Sequence, residues 1–172
     1  MRGNFLRGFI DGSLSTLGIV IGASAADTSI IVAASTGGTL ANGISNIVSA
    51  FSAERADHYA ELRKVEGAMV DKDLKESALE SRMHKQTLVA GIIDGLATIL
   101  GGALPILPYL FIPPNQAMVV SILLVLLALA VIGIYLGKLS RRNILFSALK
   151  MAAFGIVAAA AVYLVQSAIV PQ

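Results

Sequence analysis

Long apolar stretches limit what this chain can fold into. They run over about 8–32, 38–54, 87–112, 116–137 and 143–169. Each is near or above the roughly 20 residues that a helix needs to cross a bilayer. The second is short, but it can continue as a helix into the charged sequence after it. Composition points the same way: 56% of the 172 residues are hydrophobic and 14% are charged, against about 25% charged in soluble domains. These features predict an all-α membrane protein with five transmembrane helices.

The connections sort by charge. Arg2 and Arg7 precede the first stretch, the block Glu54 to Lys85 is dense in charge, and Lys138, Arg141 and Arg142 lie in the fourth connection. An expected turn near Thr36-Gly37-Gly38-Thr39, the segment from Pro105 to Asn115 and the tail Val170-Pro171-Gln172 carry none. Lys/Arg-bearing loops face the cytoplasm. The N-terminus is therefore expected inside and the C-terminus outside, with a cytoplasmic helical insertion between helices 2 and 3. That divides the chain into 1–53 (helices 1 and 2), a charged helical metal-binding region at 54–86, and 87–172 (helices 3 to 5). A secretory signal ending at Ala23-Ser24-Ala25-Ala26-Asp27 is the rival reading of the N-terminus. Asp11 and Gly12 would make a poor apolar core for it. The absence of cysteine excludes thiolate metal sites, disulfides and thiol catalysis. A net charge of +2 gives no case for a nucleic-acid partner.

Asp11, Asp27 and Asp94 are the acidic residues outside the charged block. Two of them open near-copies of one phrase, Ile10-Asp11-Gly12 … Leu17-Gly18 and Ile93-Asp94-Gly95 … Leu100-Gly101, in which Ser15 corresponds to Thr98. A carboxylate within a bilayer costs about 2.5–3.5 kcal/mol on insertion scales. Two in matched positions read as a site for a cation or a proton, with both carboxylates at similar depth. The bland reading is an acid at a helix start, favoured by the helix dipole. Asn42, Ser45, Asn46 and Ser49 are spaced along the second helix, either lining a path or bonding a neighbouring helix. Lys150 would snorkel or pair with an aspartate. Gly18 with Gly22, and Gly91 with Gly95, have the spacing that lets helices approach closely in lipid.

The charged block holds eight acidic residues, seven basic residues and both histidines. It reads as amphipathic helices broken near Glu66-Gly67. Glu54, Asp57, His58 and Glu61 share one helical face, and Asp73, Glu76, Glu80, Met83 and His84 share another. Asp57–Glu61 and Glu76–Glu80 are like-charge pairs one turn apart, which repel. A divalent cation would turn that repulsion into ligation. Carboxylate, imidazole and thioether together suit Fe2+ or Mn2+ better than Ca2+. The competing reading is an ordinary solvated face, in which Asp71–Lys75 and Lys72–Glu76 are simple helix pairs.

These residues resemble the vacuolar iron transporter family, which exports Fe2+ and Mn2+ from the cytosol. Asp11-Gly12 followed by Leu17-Gly18-Ile19-Val20-Ile21-Gly22 looks like that family's first helix. Ile44-Ser45-Asn46 leading to Ala56-Asp57-His58-Tyr59 looks like its second helix and acidic extension. Gly101-Gly102-Ala103-Leu104-Pro105-Ile106-Leu107-Pro108-Tyr109 is similar to the end of its third helix, and is the most specific match. Gly137-Lys138-Leu139-Ser140, Asn143 and Gly155 through Tyr163 resemble its last two helices. The resemblance implies a dimer of five-helix protomers, with the ion path where the first helices meet and a cytoplasmic helical domain gathering metal through Glu and Met residues. It makes Asp11 the membrane aspartate that handles the ion, and sets Glu54, Asp57, Glu61, Glu76, Glu80 and Met83 in the metal-gathering region. Two departures bear on the ion carried. Asn46 stands near where the family often has methionine, and Ala50 near where it often has glutamate.

The sequence thus predicts a homodimeric transporter moving divalent metal out of the cytosol against protons. The metal is substrate, no cofactor is permanently bound, and no covalent chemistry is implied. Its expected place is the plasma membrane in a prokaryote and a vacuolar-type membrane otherwise. The alternative is a membrane-anchored metal-binding or ferroxidase-like protein. Glu-x-x-His pairs would favour that, and the chain has none.

Overall fold

The computed structural model describes residues 2–68, 78–141 and 143–169. Five α-helices follow one another: α1 Arg2–Gly22, α2 Thr28–Ala68, α3 Ala78–Ile106, α4 Pro114–Leu139 and α5 Ile144–Ile169. A short 3-10 turn, Leu107–Leu110, closes α3. Among the described residues, four helical stretches are long and apolar enough to cross a membrane: Gly3–Gly22, Leu88–Leu110, Pro114–Leu139 and Ile144–Ile169. The helix α2 is too polar over its length to join that set, but it packs alongside α1 and α3 as a fifth member of the bundle.

The helix boundaries have local causes. The first connection is Ala23–Asp27, where Ser24 N–H bonds Ile21 O and Ala26 N–H bonds Ala23 O. The Asp27 carbonyl then accepts the N–H groups of Ile30 and Ile31, starting α2. The turn expected at Thr36–Thr39 is instead interior to α2. Gly38 is used there for close packing rather than for turning, since a Cβ on it would run into the Ile19 side chain. The helix α4 begins at Pro114, where a missing N–H costs nothing. Arg141 takes a left-handed conformation, φ 51°, after α4 ends. The Asn143 side chain then caps α5, accepting from the N–H groups of Leu145 and Phe146. Both α2 and α3 run without interruption through the boundaries drawn at 53/54 and 86/87.

Helices α1 and α3 pack in parallel and very closely. A Cβ on Gly8 would meet the Asp94 carbonyl, one on Gly12 the Thr98 carbonyl, and one on Gly101 the Phe9 carbonyl. Small residues at such a seam suit a lipid setting, where apolar contact with lipid competes with apolar contact with protein and close backbone approach decides packing. Helix α2 runs antiparallel against this pair, with Thr39 near Gly102 and Ile47 near Gly91 and Gly95. Gly91 and Gly95 therefore serve packing within the chain, whereas Gly18 and Gly22 face Val162 of α5 with room to spare, at 3.5 and 4.0 Å. Leu17 and Ile21 of α1 form a core with Val125 and Leu129 of α4. Helices α4 and α5 form an antiparallel hairpin, with Gly133 on Ala148 and Gly137 on Ile144. Leu145, Phe146, Leu149, Val157 and Leu164 of α5 remain exposed, as a lipid-facing helix would leave them.

Proline inside α3 has a matching device. Pro105 has no N–H, so the Gly101 carbonyl one turn earlier loses its helix partner. Ser13 Oγ of α1 lies within reach of that carbonyl, at 3.1 Å, and of the Phe9 carbonyl of its own helix, at 2.8 Å, and shares its one hydrogen between them. Ser121 of α4 donates to the Pro105 carbonyl itself at 2.7 Å. Away from water such carbonyls are satisfied internally.

One end of the bundle collects the start of α1, the end of α4 and the start of α5, and so Arg7, Lys138 and Arg141. The other end holds the Ala23–Asp27 connection, the 3-10 turn and the end of α5, where Gln166 donates to Ser24 at 2.6 Å.

Candidate functional site

Asp11 lies midway along α1 and is exposed on the side of the bundle. Its Oδ2 accepts two amide hydrogens from α2: Asn42 Nδ2 at 3.0 Å and Asn46 Nδ2 at 2.8 Å. These asparagines stand one turn apart, so α2 brackets the carboxylate from two levels. Asn42 Nδ2 also reaches Ser15 Oγ at 2.9 Å, and Asn46 Nδ2 reaches Thr98 Oγ1 at 2.9 Å. Thr98 in turn donates to its own helix at the Asp94 carbonyl, 2.9 Å away. The result is a polar knot joining α1, α2 and α3, built from one carboxylate, two carboxamides and two hydroxyls.

Asp11 also borders an open groove of about 510 Å³ with Gly3, Leu6, Arg7, Ile10, Leu14 and Leu136. Apart from Arg7 and Asp11 that groove is apolar. Oδ1 of Asp11 accepts no hydrogen bond among the described residues. The carboxylate is thus steadied on one oxygen by neutral donors and open on the other. Oxygen groups of this kind suit a hard or borderline divalent cation.

Asp94 sits elsewhere. It is 1% exposed, enclosed between α1 and α3, and its Oδ1 accepts from Arg7 Nε at 3.0 Å. The expected meeting of two carboxylates at one depth does not occur. The sequence repeat relates residue n to n+83, but the helices pack with n against n+86, as in Gly8 on Asp94 and Gly12 on Thr98. The two copies face each other about one turn out of step. Asp11 therefore stands level with Ala97, next to Thr98, and Asp94 with Gly8.

Of the other residues picked out from sequence, Asn42 and Asn46 join Asp11, while Ser45 is exposed and outside the knot. Asp27 is exposed at the start of α2. Lys150 lies over the Phe154 ring at 5.8 Å, so its described partner is aromatic rather than acidic. Asp73 and Glu76 lie outside the described residues, as do the side chains of Glu54, Asp57, His58, Glu61, Glu80, Met83 and His84. Among the described residues no three His, Cys, Asp or Glu side chains gather as a metal cluster.

The structure adds participants that sequence reading left out. Thr98 was read as the counterpart of Ser15, and the two hydroxyls prove to flank the same carboxylate through different asparagines. Thr16 and Thr39 pair at 2.7 Å in the buried interface between α1 and α2. Ser35, Thr39, Asn42 and Asn46 follow a helical spacing along α2, a polar stripe visible in sequence. In the sequence Arg7 is a topological charge, and nothing in its neighbourhood marks it as the partner of a residue 87 positions away.

Residues 47–167 match the VIT family. An uncharacterised protein of Methanocaldococcus jannaschii is 40% identical over 166 residues, covering 95% of this chain and 87% of its own length. Vacuolar iron transporter 1 of Tulipa gesneriana is 37% identical over 110 residues, which is 63% of this chain and 44% of that protein. Vacuolar iron transporter 1 of Arabidopsis thaliana is 35% identical over 104 residues, 59% of this chain and 42% of that protein. The chain spans less than half the length of these plant relatives. With helices fit to cross a bilayer, a match over residues 47–167 and distant homology to plant vacuolar iron transporters, the chain belongs to the VIT family of membrane proteins.

Proposed function

We propose that the protein carries a divalent transition metal, Fe2+ or Mn2+, out of the cytosol in exchange for protons, with Asp11 alternating between metal-bound and protonated states. The observation that carries this reading is the placement of Asp11. A carboxylate within an apolar helix is exposed on the flank of the protomer, bonded to neutral amides and open on one oxygen. Left against lipid, it would cost about 2.5–3.5 kcal/mol on insertion scales. A second copy applied along α1 would cover it and bring two Asp11 carboxylates to one path, which supports a homodimer. The names of the plant relatives supply the substrate class, iron.

Orientation follows from charge. Arg7, Lys138 and Arg141 share one end of the bundle, which the positive-inside rule assigns to the cytoplasm. In that arrangement all five helices span, and the charged extensions of α2 and α3 enter the cytoplasm. The acidic residues there, with Met83 and His84, would raise the local supply of metal at the mouth of the path.

Uptake into proteoliposomes tests the reading, with Fe2+, Mn2+, Co2+ and Ca2+ offered separately, with and without a pH gradient. Uptake of Fe2+ or Mn2+ that a proton gradient accelerates is the expected result. Absence of flux for every ion would rule out transport and leave metal binding alone.

A further inference from the structure

Arg7 and Asp11 stand one turn apart on α1, the spacing at which an arginine and an aspartate ordinarily attract each other along a helix surface. Both line the same groove. Yet Arg7 Nε is bonded across the helix pair to Asp94 of α3, at 3.0 Å, while Oδ2 of Asp11 is held by the neutral amides of Asn42 and Asn46. The choice has a physical cause. Asp94 is 1% exposed, and a carboxylate withdrawn from water gains more from a cation than an exposed one does and suffers more without it. The close approach at Gly8, which brings the Asp94 backbone against α1, sets that carboxylate beside the root of Arg7.

We propose that Asp94 is a positioning residue that draws the guanidinium of Arg7, a side chain 61% exposed, toward α3, and so keeps Asp11 open to the cation it carries. The inference rests on the reading of Asp11 as the ion-handling group. Without Asp94, the nearest carboxylate to Arg7 along its own helix is Asp11. A guanidinium that turned to it would occupy the site with a fixed positive charge and shut out the metal. The second carboxylate of the repeat then acts on transport through an arginine, not as a ligand.

The test compares Mn2+ uptake by full-length wild type, Asp94→Asn, Arg7→Gln, the double variant Arg7→Gln/Asp94→Asn, and Asp11→Asn. Each is normalised to the amount of monodisperse protein in the vesicles. Asp94→Asn keeps the shape but removes the charge that holds the guanidinium, and uptake is expected to fall about tenfold or more, the effect of a modest new charge pair at the site. Removing the arginine as well should restore uptake to near the wild-type rate, a rescue that loss of packing at Asp94 would not give. Wild-type uptake by Asp94→Asn would overturn the proposal. So would a double variant as slow as Asp94→Asn. The failure of the underlying reading shows separately, as wild-type uptake by Asp11→Asn.

Discussion

Asn46 joins Asp11 at 2.8 Å and Thr98 at 2.9 Å through the same amide nitrogen, so one side chain of α2 ties the carboxylate of α1 to α3. Asn46→Leu, close in size, removes both bonds. Hydrogen bonds to a charged group contribute about 1.5–3 kcal/mol. Asp11 would keep its bond from Asn42 but lose its fixed orientation. Metal uptake should fall by about tenfold, with most of the change in apparent affinity, the loss expected from about 1.4 kcal/mol of binding. Initial rates over a range of Mn2+ concentrations would separate affinity from maximal rate. Unchanged kinetics would remove Asn46 from the site.

Ser13 is the side-chain donor within reach of the Gly101 carbonyl that Pro105 leaves without a helix partner, and it shares its hydrogen with the Phe9 carbonyl. Ser13→Ala should therefore lower stability by about 1–3 kcal/mol, the cost of leaving a buried acceptor unpaired. Thermal unfolding in detergent should show a lower midpoint. The transport rate of the protein that remains folded should be unchanged, because Ser13 does not touch the Asp11 knot. A midpoint equal to that of wild type would show that the Gly101 carbonyl finds another donor.

Gly12 and Gly37 should respond in opposite directions to the same substitution. A Cβ at Gly12 would overlap the Thr98 carbonyl, so α1 and α3 must part. Gly12→Ala should cost about 1–3 kcal/mol as an overpacked contact, and should also impair transport because Thr98 helps to hold Asn46. Nothing lies within 4 Å of a Cβ at Gly37. Gly37→Ala should leave stability unchanged or raise it by up to about 1 kcal/mol, the helix preference of alanine over glycine. Melting midpoints of the two variants side by side check both expectations. Equal effects would mean that the close seam between α1 and α3 is not what holds the bundle.

What the residues disclosed, and what they did not, follows from the range over which each signal acts. The apolar runs and the charge of their connections marked α1, α3, α4 and α5, because spanning length and hydropathy are local properties. Asp11 stood out for the same reason, as a charge where lipid penalises it. The first connection was misplaced because Gly37-Gly38 reads as a helix breaker, whereas in the bundle Gly38 makes room for Ile19. The repeat suggests carboxylates at similar depth on two helices running the same way, and α1 and α3 do pack in parallel. The repeat says nothing of their relative slide, which Gly8 and Gly12 set by bringing backbone against backbone. That slide of about one turn separates the two carboxylates and gives Asp94 to Arg7. The partner of Ser13 was illegible for a related reason: Pro105 shows that a carbonyl is freed, but not which helix lies beside it.

In the proposed mechanism the Asp11 carboxylate handles the transported ion. Asp11→Asn keeps the size of the side chain and its place beside Asn42 and Asn46 while removing the charge. The direct measurement is initial Mn2+ uptake into proteoliposomes under an imposed pH gradient, for wild type and Asp11→Asn at equal reconstituted amounts of folded protein. Uptake by the variant at the level of protein-free vesicles is the predicted result. Uptake at the wild-type rate would contradict the account, and would make Asp11 a structural link between α1 and α2.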